Sequence, residues 1–131
     1  MIVVDTSIVI SIFEQEFDGP EFAGIIASEQ NLLMSSVNVH ESAVVLLSRR
    51  GKENADELIE FLRVSKIDVV PFDLRQARVA SEAYARFGKG SGAKAQLNLA
   101  DCAAYALATA YSAPLLFKGN DFTHTDLKLY R

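Results

Sequence analysis

The stretch from Leu97 to Phe122 constrains this chain more than any other. From Cys102 to Tyr111 almost every residue is small or apolar. A helix of that composition offers no polar face to water and must be buried on most sides. Pro114 ends it, and Leu115-Leu116-Phe117 follow as the short, continuous apolar run that a strand covered on both faces requires. The polar segment Lys118-Gly119-Asn120-Asp121 then lies just past the carboxyl end of that strand, the edge at which open α/β sheets bind their ligands. Asn98 is a favoured N-cap and puts Asp101 in the first helical turn, where the macrodipole suits a negative charge. One carboxylate opens a helix and another closes a strand 20 residues later, which marks a site rather than a surface.

Earlier segments repeat the alternation. Ile2-Val3-Val4 reads as a buried strand ending at Asp5, and Thr6 and Ser7 can cap a helix with Ile8, Val9, Ile12 and Phe13 on its apolar side. Asp18-Gly19-Pro20 breaks the chain, and Pro20 opens a second short helix to about Ser28. Leu32-Leu33-Met34 is a second strand. A helix over Val37–Arg50 gathers Val37, Glu41, Val44, Val45 and Ser48 near one another, with Gly51 beyond its end. Asn54–Ser65 is amphipathic, with Leu58, Ile59 and Leu62 facing in. Val69-Val70-Pro71-Phe72 forms a third strand, its proline marking an edge or an end. Asp73-Leu74-Arg75-Gln76 resembles a capping box for a helix closed by Gly88. A basic, glycine-rich loop, Gly88–Lys94, leads into the stretch described above, and Leu127–Tyr130 alternates like an edge strand. Strands alternating with helices predict a single-domain α/β/α sandwich, a parallel sheet with helices on both faces.

At 131 residues, half of them hydrophobic, the chain is long enough to bury a core as one domain. The start, Met1–Asp5, lacks the pattern of a signal peptide, and the most apolar window is too short and too interrupted to span a bilayer. The lone Cys102 cannot form an internal disulfide and reads as buried packing, which fits a cytoplasmic protein. The net charge of −4 argues against sequence-independent adhesion to nucleic acid, although a metal-holding acid cluster would itself contribute negative charge.

On this reading Asp5, Glu41, Asp101 and Asp121 fall at or just past strand ends on one edge of the sheet. Singly, Asp5 and Asp101 are explained as well by helix capping, and Glu41 by solvation. Jointly, converging carboxylates repel unless cations neutralise them. Oxygen donors without a competing Cys/His cluster favour a hard ion, Mg²⁺ or Mn²⁺. Such ions polarise a phosphodiester and activate water, so hydrolysis needs no serine or histidine nucleophile. Lys118 is a candidate phosphate contact or a solvated lysine, and Arg86, Lys89 and Lys94 either follow a nucleic-acid backbone or decorate a loop.

Four motifs, Val3-Val4-Asp5-Thr6-Ser7, Ser36-Val37-Asn38-Val39-His40-Glu41, Leu97-Asn98-Leu99-Ala100-Asp101-Cys102 and Leu116-Phe117-Lys118-Gly119-Asn120-Asp121-Phe122, occur in this order across the chain. In order and spacing they resemble the PIN domain, in particular the VapC-type ribonuclease toxins of toxin–antitoxin pairs. The resemblance implies that Asp5, Glu41, Asp101 and Asp121 are catalytic, metal-binding acids, with Thr6, Ser7 and Asn98 as polar neighbours. It implies Mg²⁺ or Mn²⁺ as cofactor, RNA as substrate, an antitoxin protein as partner, and a homodimer. Phe17, Phe22, Ile25, Ile26 and Phe61 look exposed and are expected to line a groove for an antitoxin peptide.

Rival readings fit less well. Gly88–Ala95 fails the phosphate-loop pattern because Ala93 intervenes and Ala95 replaces the hydroxyl residue. His40-Glu41 is no zincin helix, since Val44 stands where the second histidine belongs, and His40 and His124 read as surface residues. A receiver domain needs adjacent acids after the first strand, and Thr6-Ser7 occupy those positions; a dehalogenase-type phosphatase needs a second aspartate at Ser7. An antitoxin-gripping module with little hydrolytic activity is argued against by the intact acid quartet.

Overall fold

The apolar runs pair as parallel strands in the computed structural model, which describes residues 1–130, with the backbone alone at Glu53 and Asn54. Strand β1 (Ile2–Val4) is central, flanked by β2 (Leu32–Ser35) and β4 (Leu115–Leu116), and β3 (Ile67–Val70) forms the far edge, in the order β3-β2-β1-β4. Val3 pairs with Leu33 on one side and Leu115 on the other, while Ser35 pairs with Val70. Successive strand residues face opposite sides of a sheet. Val3, Leu33 and Leu115 accordingly pack against α5 (Leu74–Phe87) and α6 (Leu99–Tyr111). Ile2, Val4, Leu32, Met34 and Leu116 pack on the other face, against α1 (Thr6–Phe13), α2 (Gly19–Ser28), α3 (Ser36–Arg50) and α4 (Glu53–Val64). The expected parallel sheet covered on both faces is what forms. No helix among the described residues is long and apolar enough to cross a membrane.

Helix α6 is buried without a break from Cys102 to Ala108, as its composition requires. Side-chain packing around Cys102 pushes its thiol up to about 11, chiefly through burial, so it stays protonated. The other helices depart from the sequence reading in instructive ways. Asp5, not Thr6 or Ser7, caps α1, because its carboxylate accepts from the Ser7 amide. The buried positions of α3 are Asn38, Ser42 and Leu46, whereas Val44 and Ser48 face out. That polar stripe faces other helices: Asn38 Nδ2 donates to Ala100 O of α6 at 3.0 Å. In α4, Leu58 and Leu62 are buried but Ile59 points to solvent.

Strand β3 begins at Ile67 and stops at Val70, so Pro71 ends it and Phe72 lies outside. Only half of the predicted capping box forms at α5: Asp73 accepts from the Gln76 amide, but the Gln76 side chain donates to Pro71 O instead. Gly88 ends α5 in extended backbone, and glycine is needed there because a Cβ would collide with the Tyr84 carbonyl oxygen. Leu127–Tyr130 does not make an edge strand; one parallel bridge joins Leu129 to Leu115. Of the residues expected to be exposed apolar anchors, only Phe17 is fully so; Ile26 is buried, and Phe22, Ile25 and Phe61 lean on the core.

Candidate active site

The four acids converge. Asp5, Glu41, Asp101 and Asp121 all line one open hollow of about 460 Å³, together with Thr6, Ser7 and Lys118. The fold makes this unavoidable: β1 delivers Asp5 at its carboxyl end, α6 starts beside it with Asp101, and the turn after β4 returns with Asp121. Gly119 has φ +98 in that turn, a backbone state that side chains resist.

Asp5 and Asp101 are held in fixed orientations. The Ser7 hydroxyl donates to Asp5 Oδ2 at 2.6 Å and the Ser7 amide donates to the same oxygen at 3.0 Å. Ser7 Oγ in turn accepts from the Lys118 amide at 2.9 Å, tying the last strand's exit to the first. Asp5 Oδ1 is buried and has no partner among the described residues. Asp101 and Asn98 form a complete capping box, with the Asp101 amide donating to Asn98 Oδ1 at 2.8 Å and the Asn98 amide to Asp101 Oδ2 at 3.0 Å. Asn98 therefore stands behind Asp101 rather than lining the hollow.

Electrostatics reflect the crowding. Burial pushes the Asp5 carboxyl up to about 6 against the opposing hydrogen bonds of Ser7, with the Glu41 charge adding to the rise. Burial likewise raises Asp101 to about 7, and the charges of Asp5, Asp121 and Glu41 push the same way. Asp101 thus feels the other three acids and Asp5 feels Glu41, a crowding of like charge that a cation would relieve. Among the described residues no three acid or imidazole side chains already stand as a finished ligand shell. The donor set nevertheless fits a hard divalent cation: it is all oxygen, it is anionic, and it includes a buried, unpartnered carboxylate oxygen.

Several residues were not singled out from sequence. Asn38 is fully buried; its Nδ2 donates to Thr6 Oγ1 at 3.2 Å as well as to Ala100 O, so it joins the starts of α1, α3 and α6. Thr6 Oγ1 donates back to Asn38 O at 3.3 Å, which makes Thr6 a brace. A polar amide flanked by Val37 and Val39, one turn before Glu41, was the available signal. Glu16 and Arg49 also line the hollow, and nothing in their local sequence marks them. Lys118 Nζ is occupied by Glu16 at 2.8 Å and Asp18 at 2.9 Å. Arg86, Lys89 and Lys94 are not part of the hollow; Arg86 pairs with Asp126 at 3.3 Å and stacks on Phe87.

Comparison with known proteins adds to this geometry. Residues 2–128 match the family model described as the PIN domain. Over 126 residues the chain is 41% identical to the ribonuclease VapC28 of Mycobacterium tuberculosis, covering 96% of this chain and 95% of that one. In fold it is similar to the VapC20 toxin of Mycobacterium tuberculosis, described as cleaving the sarcin–ricin loop, with a TM-score of 0.82 at 16% identity over 100% of this chain and 99% of that one. It is also similar to a chain of the VapBC2 complex of Rickettsia felis bound to promoter DNA, with a TM-score of 0.73 at 18% identity over 99% and 98% of the two chains.

Proposed function

This chain belongs to the PIN-domain family, and on that premise we propose that it is a metal-dependent endoribonuclease, the toxin of a toxin–antitoxin pair acting in the cytoplasm. One observation carries the proposal: four carboxylates distant in sequence line a single hollow, with the carboxyls of Asp5 and Asp101 pushed up by burial and, secondarily, by neighbouring acids. Such a cluster is poorly suited to stabilising the fold and well suited to a cation.

Asp5, Glu41, Asp101 and Asp121 are the proposed ligands of Mg²⁺ or Mn²⁺ and the proposed catalytic acids. When bound, such a cation supplies Lewis acidity and charge neutralisation at the scissile phosphate and lowers the pKa of water there. The chain's own residues do the rest. Ser7 fixes Asp5 through Oδ2, which leaves Oδ1 free to ligate. Asn98 fixes Asp101 through Oδ2 in the same manner. Asn38 and Thr6 keep the helices that carry the acids in register. Held in this way, Asp5 and Asp101 would present carboxylate oxygens to a cation, whose charge would favour their ionised forms.

Curated relatives named as ribonucleases and fold neighbours solved as toxin–antitoxin complexes support RNA as substrate and an antitoxin as partner. A hollow between α2 and α4, lined by Ala23, Ile26, Phe61 and Val64, suits a peptide from that partner. An apolar hollow between α5 and α6, lined by Phe72, Ala80, Tyr84, Leu99 and Cys102, suits a second copy in a homodimer. The test is cleavage of a panel of labelled RNAs by the purified protein. Cleavage should stop in chelator and return with Mn²⁺; undiminished cleavage in chelator would contradict the proposal.

A further inference from the structure

The hollow that gathers the four acids contains a fifth, Glu16, and two cations, Lys118 and Arg49. Arg49 is directed to Glu14, at 3.7 Å. Lys118 alone engages the extra acid: its ammonium bonds Glu16 Oε1 at 2.8 Å and Asp18 Oδ1 at 2.9 Å, across separations of 102 and 100 residues. Asp18 is further held by the Ser11 hydroxyl at 2.8 Å. The same lysine's backbone amide bonds Ser7 Oγ, whose hydroxyl orients Asp5. Lys118 is therefore pinned at both ends, by its amide to the Asp5 support and by its ammonium to the turn between α1 and α2. Its two acid partners hold it charged, and its hydrogen bond holds Asp18 ionised.

We propose that Lys118 is a positioning residue that keeps the Glu16 carboxylate out of the metal site, so that the hollow offers a cation four carboxylates instead of five. This rests on the metal-site reading above. A hard cation binds more tightly as anionic oxygen ligands accumulate. Hydrolysis, however, needs coordination positions left for water and for the scissile phosphate. A fifth carboxylate would fill one of them and would repel the phosphodiester. Binding Glu16 to an ammonium that sits on the Asp121 loop removes that competitor. It also explains why Lys118 turns to the α1–α2 turn although it lines the hollow itself.

The test uses full-length K118M, E16Q and the K118M/E16Q double variant, with D5N as a control. Mn²⁺ binding is read by titration calorimetry, and kcat and KM are read on one cleaved RNA. K118M frees Glu16, so Mn²⁺ should bind about tenfold tighter while kcat falls by about tenfold or more. In the double variant both should return to within about twofold to threefold of wild type, because the freed ligand is gone. E16Q alone should leave Mn²⁺ affinity unchanged. Unchanged Mn²⁺ affinity in K118M would overturn the proposal, as would failure of E16Q to rescue, which would indicate direct contact of Lys118 with the phosphate. Weaker Mn²⁺ binding in E16Q would also overturn it by making Glu16 a ligand. If K118M does not fold, K118Q, which keeps a polar head and removes the charge, takes its place with the same expected and contradicting results. D5N separates the two levels: Mn²⁺ binding unaffected by D5N would refute the underlying site rather than the role of Lys118.

Discussion

The two halves of the acid cluster are built differently. Asp5 and Asp101 are tethered, each by donors from its own helix start, and Asp5 is buried. Glu41 lies in the second turn of α3 and Asp121 stands exposed on a turn; neither side chain makes a hydrogen bond among the described residues. The tethered pair bears the cost of burial, and its carboxyls are the ones pushed up. The contrast teaches that preorganisation is concentrated in the acids at the sheet's centre, while the other two carboxylates are positioned by their backbone alone.

That contrast can be broken experimentally. The largest effect is expected from the tethered acids: Asp5→Asn or Asp101→Asn keeps the shape and removes a charge, and should lower RNA cleavage roughly a thousandfold, about 4 kcal/mol of barrier. Circular dichroism should show both variants folded. Glu41→Gln and Asp121→Asn should cost less, about tenfold to a hundredfold, and raised Mn²⁺ should recover part of the loss, as expected of an untethered carboxylate that contributes mainly affinity. Equal losses in all four variants, none recovered by Mn²⁺, would erase the distinction.

Stability against pH sharpens the comparison. An unfolded aspartate ionises near 3.8, whereas folded Asp5 ionises at about 6 and Asp101 at about 7. Between those values the folded state holds more protons than the unfolded one, so stability is greatest below the unfolded value and falls as pH rises. Metal-free protein should therefore lose stability from about pH 4 to about pH 7, with Asp5 alone contributing on the order of 3 kcal/mol. Denaturant titrations in chelator should show this decline, and Asp5→Asn should flatten it. Asn caps a helix as well as Asp, and Ser7 can still donate to its oxygen. A smaller effect is expected at Asn38, whose removal strands Thr6 and the Ala100 carbonyl. Asn38→Ala should cost about 2 kcal/mol, read as a lower melting temperature, without altering which RNA is cut.

Much of this was legible in the sequence because the signals were local. Apolar runs ending in acids, Pro114 after a helix without a polar face, and Asn98 three residues before Asp101 each specify a neighbourhood by short-range chemistry. What escaped depends on contacts between distant segments. The inward side of α3 is taken by buried Asn38 and Ser42, with Asn38 bonded to Thr6 of α1 and Ala100 of α6, which outranks the apolar preference of Val44. Ile59 is exposed although it lies next to Leu58 in an amphipathic pattern. Lys118 finds Glu16 and Asp18 across most of the chain, and no local spacing announces that. Helix capping also leaves room for a second role, since Asp5 as N-cap and Asp101 as the partner of the Asn98 cap each use one oxygen, Oδ2, for the helix start.

The most direct test of the central claim needs no knowledge of the RNA target. Melting temperature is measured at neutral pH with and without Mn²⁺, for wild type and for Asp5→Asn. A ligand bound only by the folded state at about a hundred times its Kd adds about 2.7 kcal/mol, which for a chain of this size raises the melting temperature by roughly 10 °C. Wild type should show that rise, and Asp5→Asn should start from a higher metal-free value and gain little. An equal Mn²⁺-induced rise in both proteins would contradict the account, because the cation would then be held somewhere other than at these carboxylates.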